Sequence, residues 1–299
     1  MKEWIKRDDG SVMVLVAFIM VGLLALMALV IDGGSLYLEK NRLQKIADAA
    51  ALAGAQDLPS FPVRANDAIV TTANKNGTFS NVTIEFHNAN HSLQVFAEKE
   101  VNLVFGNVLG FKDPTITAIA KVDLLSLSSV TGAIPLGVEY SADIVHGELV
   151  ELKVGEATIG NFGALILTGP GAKDFETDLT HGYEFTLEVG DVLETKTGKM
   201  TQATKRAVDY RVSHCPEATF TNYQSDCARV LMVPVYKPVN TGIDKLTKVE
   251  VVGFASFFLE GTSPNDDSVV IGRFIESTQK GDINRNLKSY GAFGYKLTQ

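Results

Sequence analysis

The sequence predicts an α+β protein in three parts: an N-terminal transmembrane helix extended into a long stalk helix, a small α+β module, and a mostly β domain. Three observations predict it. An unbroken apolar run, Val12 to Ile31, lies near the start of the chain. A charged stretch with helical spacing follows it as far as Gln56. Beyond Asn76-Gly77 the apolar residues fall into short runs, several of them alternating, punctuated by glycine.

The apolar run, VMVLVAFIMVGLLALMALVI, holds no polar residue. As a helix it rises about 30 Å, the hydrocarbon thickness of a bilayer. A buried soluble helix would carry a polar stripe, and none is present. A cleavable secretory signal has a shorter apolar region, roughly 7–15 residues, followed by an A-x-A-like site. Here Asp32-Gly33-Gly34 follows instead. The run is therefore read as a retained single-pass span over residues 12–31. Trp4, Lys6 and Arg7 before it and Tyr37 after it stand where membrane-interface anchors belong. Basic residues are nearly balanced across the span, with Lys2, Lys6 and Arg7 on one side and Lys40, Arg42 and Lys45 on the other. The first three lie closer, and a short tail is easier to leave inside. Residues 1–10 are expected to be a cytoplasmic tail, with the body extracytoplasmic at the cell membrane.

Leu36, Leu43, Ile46, Ala50 and Ala53 recur on one helical face beyond the span. A helix from residue 11 to 56 would be about 69 Å long. Gly33-Gly34 is its weak point, at about 1 kcal/mol per glycine relative to alanine, and could serve as a hinge. Pro59 and Pro62 end it, so residues 11–58 form one transmembrane and stalk segment. Within ADAAALAGA, the residues Ala47, Ala50, Ala53 and Gly54 offer a helix-packing surface that another backbone can approach closely. Either a partner helix or the chain's own body would fit it.

Gly10-Ser11, the apolar span, Asp32, Gly34, Tyr37, Leu43-Gln44 and the run Ala47 to Ala55 occur together in order. In that order they resemble the N-terminal segment of Tad (Flp-type) pilus-assembly proteins of the TadE/TadG kind. The resemblance is strong over about fifty residues. It implies a membrane-anchored structural component of a Tad/Flp-type pilus or related surface apparatus, acting by helix packing and protein–protein contacts. Other pilus-assembly or pilin-like proteins would be its partners, together with membrane lipid and a homo-oligomer through the N-terminal helix. Some pilin-like relatives are cut after a glycine before the apolar segment, as at Gly10-Ser11. Pilin segments of the better-known type also place a glutamate five residues beyond the cut, where this chain has Leu15. That difference argues against cleavage and against polymerisation into the main fibre.

Residues 59–127 read as the small α+β module. A short helix around 66–74 precedes VTIEF and LQVFAE, a strand pair joined by HNANH; VNLVFGNVLG reads as a short helix and TITAIAKVDL as a strand. Related proteins carry a similar Phe-then-Leu-Gly helix before such a strand. LLSLSSVTGA has the composition of a linker. Residues 128–299 read as the mostly β domain, with helices at 173–179 and around 203–212. Its strands are GELVELKV, GALILT, YEFTLEVGDVLET, RVLMVPVY, KVEVVGFASFFLEG and SVVIGRFI.

Little in the body points to chemistry. Cys215 and Cys227 are predicted to form a disulfide, as an exported compartment permits; a zinc site using the adjacent His214 and a pair of free thiols are the alternatives. His87 and His91 sit in a turn rather than on a helix, without further ligands. Ser256 lacks the G-x-S-x-G elbow, and the glycine clusters match no phosphate-binding loop. No enzyme activity, metal or cofactor is predicted. The net charge of −8 argues against nucleic-acid binding. Two rivals to the pilus reading remain: a membrane-tethered protein that binds cell wall or a surface ligand, and, more weakly, an exported hydrolase.

Overall fold

The apolar run and the charged stretch after it form one helix, α1 (Asp9–Ala55), of 47 residues, about 70 Å long. The computed structural model describes residues 9–142, 144–153, 163–196, 198, 200–241 and 246–298. At Gly33-Gly34 the helix continues unbroken, with open space around both glycines. After a short turn, Pro62 starts α2 (Pro62–Asn76) at a position where a missing N–H costs nothing. A hairpin follows, β1 (Asn81–His87) and β2 (Ser92–Glu100), paired antiparallel. Its turn holds Asn88, Ala89 and Asn90 at φ of 52°, 52° and 67°, a left-handed conformation that asparagine tolerates better than most residues.

The short helix expected in VNLVFGNVLG is only a 3-10 turn, Asn107–Leu109, which Gly110 ends at φ 82°. β3 (Thr115–Ser126) crosses into the stretch read as a linker, and β4 (Ser129–Thr131) follows at once. That stretch is not a linker. Leu127 and Val130 are buried, so its serines separate two short pieces of core. The chain continues through β5 (Leu136–Glu139), β6 (Leu149–Lys153), β7 (Gly163–Ile166) and α3 (Ala172–His181). YEFTLEVGDVLET is two strands, β8 (Thr186–Glu188) and β9 (Val192–Lys196), because Gly190 turns between them at φ 104°. Then come α4 (Thr201–Ser213), β10 (Val230–Thr241), β11 (Leu246–Ser263), β12 (Asp266–Ile275), β13 (Ser277–Thr278) and β14 (Ala292–Leu297).

Two main sheets result. The first has the order β1-β2-β3-β14-β13, so its last two strands come from the C-terminal end of the chain. The second has the order β10-β5-β7-β9-β11-β12-β6, and β10 also pairs with β11. Strands β10, β5, β7, β9 and β11 therefore hydrogen-bond in a closed ring that leaves none of these five as an edge, while β12 and β6 extend the sheet outward from β11. β4 and β8 make a small separate pair. Helices α3 and α4 cover the second sheet through Phe175, Leu179, Ala203, Ala207 and Val208, packed with Val233, Val235, Phe257 and Phe274. The first sheet is covered by the C-terminal half of α1 and by α2. That second packing brings the N-terminal segment into the body.

Candidate functional site

Helix α1 divides into two halves of opposite environment. Residues of the apolar run are exposed along its length: Leu15, Leu24 and Val30 are 60%, 60% and 72% accessible. The most apolar stretch has none of its residues buried in the protein, and it is long enough to cross a membrane. From Leu43 onward the helix is core. Leu43, Ile46, Ala47, Ala50, Ala51 and Ala55 are buried in one cluster with Ala65 and Ile69 of α2 and with Ala97, Ala118 and Ala120 of the first sheet.

The small-residue face thus lies against the chain's own body. Methyl groups on helix and sheet meet, so the backbones approach more closely than larger side chains would allow. Gly54 marks the tightest point: a Cβ placed there would lie 2.5 Å from Ile69 Cγ1 and 3.2 Å from the Ala65 carbonyl oxygen. Of the four residues read as a packing surface, Ala47, Ala50 and Gly54 are buried and Ala53 is half-buried.

Between the two halves, polar side chains of α1 bind backbone of the body. Asp32, the first residue beyond the apolar run, accepts hydrogen bonds from three consecutive amides. Val104 N–H donates to Oδ1 at 2.9 Å, Gly106 N–H to Oδ2 at 2.7 Å, and Phe105 N–H reaches both oxygens at 3.3 and 3.1 Å. About two and three helical turns further on, Lys40 donates to the Thr117 carbonyl and Gln44 to the Ile119 carbonyl at 2.8 Å. Those carbonyls lie on the part of β3 that precedes its pairing with β14, so the helix occupies an open sheet edge. Glu39 pairs with Lys99 of β2 at 2.6 Å and with Arg42 on its own helix at 2.6 Å. The bond from Lys99 holds the Glu39 carboxyl below its ordinary pKa, and Arg42 adds to the effect.

The end of the segment is also tied down. Ser60 donates to the Glu276 carbonyl at 2.6 Å, and Thr278 donates to the Gln56 carbonyl at 2.7 Å. Arg64 bridges the Asp57 carboxylate at 2.6 Å and the Tyr223 carbonyl at 2.7 Å. The turn between α1 and α2 is therefore fastened to both the first sheet and the loops of the second.

Tyr37 is exposed, at 69%, six residues past the end of the apolar run. Trp4, Lys6 and Arg7, the other expected interface anchors, lie outside the described residues. Gly10 and Ser11 fall within α1. Asp32, Glu39, Lys40 and Gln44 were not read as contact residues from sequence. The one signal that could have found Asp32 is a carboxylate placed directly against an apolar run, where it needs partners.

Cys215 and Cys227 are joined by a disulfide with their Cα atoms 5.7 Å apart. The buried Arg229 holds the same loop, donating to the Leu259 carbonyl at 2.7 Å and the Ala218 carbonyl at 2.8 Å. Closing so short a loop restricts the unfolded chain, so Cys215→Ser with Cys227→Ser is expected to cost about 2–3 kcal/mol of stability. Thermal melting with and without reductant would show it, and an unchanged midpoint would contradict it.

Among the described residues no catalytic set assembles elsewhere. A depression of about 750 Å³ is lined by Ser129, Thr131, Thr186, Asp226, Lys280 and Asp282 among others, without histidine. The Ser129 hydroxyl there donates to Asp282 at 2.9 Å. His91 faces Glu276 at 3.2 Å and ties the β1–β2 turn to the body. Among the described residues no group of three or more His, Cys, Asp or Glu side chains is placed to hold a metal ion.

Residues 10–57 match the Tad family model, described as Flp pilus-assembly TadE/G-like. The chain carries a TadE/G-like segment. The match begins next to the first described residue of α1 and ends two residues past its last. It takes in the exposed apolar half, Asp32 and the small-residue face together. No curated protein and no solved structure matches the chain. Within the TadE/G-like segment, one half is exposed among the described residues and the other half is part of the core.

Proposed function

We propose that this protein is a membrane-anchored structural component of a Tad/Flp-type pilus-assembly apparatus. Residues 12–31 cross the cell membrane once, the N-terminus is cytoplasmic, and the body stands outside. It works by contact rather than catalysis: the span meets other apolar helices in the bilayer, from pilus-assembly or pilin-like proteins or from a second copy. The observation that carries this reading is the coincidence of the TadE/G-like match with a helix whose apolar half is wholly exposed. Because the other half of α1 is built into the core, the span is continuous with the body, and force on one passes directly to the other. Helix association in lipid depends on packing and hydrogen bonding rather than on the hydrophobic effect, so the span face must match its partner in shape.

The test is photo-crosslinking in living cells with a benzophenone side chain at Leu15, Phe18 or Leu26, all exposed on α1. Adducts to an integral pilus-assembly protein or to a second copy are expected at some positions and not others. Adducts to lipid alone would refute the role. Protease added to wall-stripped cells is expected to digest the body, and protection of the bulk of the chain would refute the orientation. The polar depression near Ser129 supports the second reading, a tethered binder of cell wall or surface ligand. Retention of the body on cell-wall material, with no protein adducts from the span, would favour it.

A further inference from the structure

The segment between β2 and β3 does not look like a solvated loop. Val104, Val108 and Phe111 are 62%, 82% and 64% exposed, Phe105 is 39% exposed, and Lys112 beside them is exposed too. Yet the backbone is closely organised. Val101 N–H donates to the Pro114 carbonyl at 3.0 Å, closing the base, and Leu103 N–H donates to Asp113 at 2.8 Å. Phe111 N–H donates to the Gly106 carbonyl at 2.9 Å across the 3-10 turn. The backbone at Gly106 runs close to Leu103, since a Cβ there would lie 2.6 Å from Leu103 Cδ1 and 3.0 Å from Leu103 Cβ. An ordered loop that presents apolar side chains outward has been shaped to meet something apolar.

Its position says what. The Asp32 carboxylate grips the amides of Val104, Phe105 and Gly106, and Asp32 directly follows Ile31, the last residue of the apolar run. Along the helix axis those two residues are about 1.5 Å apart. Whatever depth Ile31 takes in the bilayer, the loop is held at nearly the same level. We propose that residues 104–111 are a second membrane contact, a loop that buries Val104, Val108 and Phe111 in the interfacial layer of the bilayer while Lys112 meets lipid headgroups. This rests on the span reading above. Together with Tyr37 on α1, the loop would give the body two points of contact with the membrane instead of one. It also bridges Gly33-Gly34, because Asp32 lies on the membrane side of those glycines and the loop belongs to the body. The clasp thereby sets the body's tilt and removes the hinge that two glycines would otherwise offer.

The experiment uses the full-length protein in vesicles of phosphatidylcholine and phosphatidylglycerol. An environment-sensitive nitrobenzoxadiazole label is placed by Val108→Cys, Phe111→Cys, Leu24→Cys within the span, or Val192→Cys, exposed on β9. The labels at 108 and 111 are expected to emit at shorter wavelength than the label at 192. A nitroxide carried at shallow depth on lipid should quench them several-fold more than it quenches 192, and aqueous iodide should quench them less. Adding Asp32→Ala should return the 108 label to iodide while leaving the 24 label in lipid. If 24 is lipid-quenched and 108 responds to iodide like 192, the loop proposal fails and the span reading stands. If 24 itself responds to iodide, both fail. Shielding of 108 from both quenchers would also overturn the proposal, since it would show protein rather than lipid covering the loop.

Discussion

A chain beginning at Asp32 is expected to be recovered as soluble, cooperatively folding protein, whereas one beginning at Ser60 is expected not to fold. The apolar half of α1 has no residue buried in its most apolar stretch, so its removal takes nothing from the core and deletes a large exposed apolar surface. Removing residues up to 59 is a different act. It strips Leu43, Ile46 and Leu58, all buried, from the helix layer and uncovers Ile69, Leu93, Val95 and Val122 beneath them. Each large aliphatic side chain is worth about 1.5–3 kcal/mol when buried. The combined loss therefore equals or exceeds the roughly 5–15 kcal/mol that holds an ordinary domain together. The free edge of β3, now filled by Lys40 and Gln44, would be bared as well. Circular dichroism and thermal melting of the two truncations decide the matter. A cooperative transition in the shorter one would show that the helix is an appendage and not part of the fold.

Gly54→Leu is expected to reduce stability by about 3 kcal/mol or more, at the upper end of what overpacking costs. A Cβ at Gly54 already falls 2.5 and 2.6 Å from Ile69 Cγ1 and Cδ1, and Ile69 is fully buried with nowhere to turn. The Ala65 carbonyl, at 3.2 Å, is backbone and yields less than a side chain would. The helix can accept leucine only by separating from α2, which breaks the alanine contacts along the rest of the seam. In a chain of this size the melting point should fall by roughly 6–12 °C. Ile69→Ala alone should cost about 2–5 kcal/mol through its cavity. In combination the two should cost less than their sum, because the leucine fills the space that the isoleucine leaves. Strict additivity would place the strain somewhere other than this contact.

Both expectations turn on the seam between α1 and the body, and that seam shows what local sequence cannot specify. ADAAALAGA offers a candidate surface for close helix packing, since side chains that small let another backbone approach. It could not say against what. An alanine seam suits a neighbouring chain in lipid as well as a sheet of its own protein, and only the positions of Ala97, Ala118 and Ala120 decided between them. The linker reading of LLSLSSVTGA failed for a related reason. Serine content marks solvent in an isolated segment, but β14, some 165 residues onward, pairs with β3 and encloses that stretch. Long-range pairing leaves no local trace. The strands β5 and β14 were missed as well.

What the sequence determined by itself was whatever depends on local composition and period: an apolar helix long enough to cross a membrane from unbroken apolarity, its extension from spacing, turns from glycine and asparagine, and a TadE/G-like segment from ordered motifs. What tertiary structure alone decided was whatever depends on residues far apart meeting. It turned the second half of α1 into core, filled the open edge of β3, and gave Asp32 its three amide donors from a loop more than seventy residues away. The reason is physical. The hydrogen bonds and period of a helix involve residues within about a turn and can be read locally, but the partner of a helix-borne carboxylate or a bare sheet edge is chosen only when the chain closes on itself.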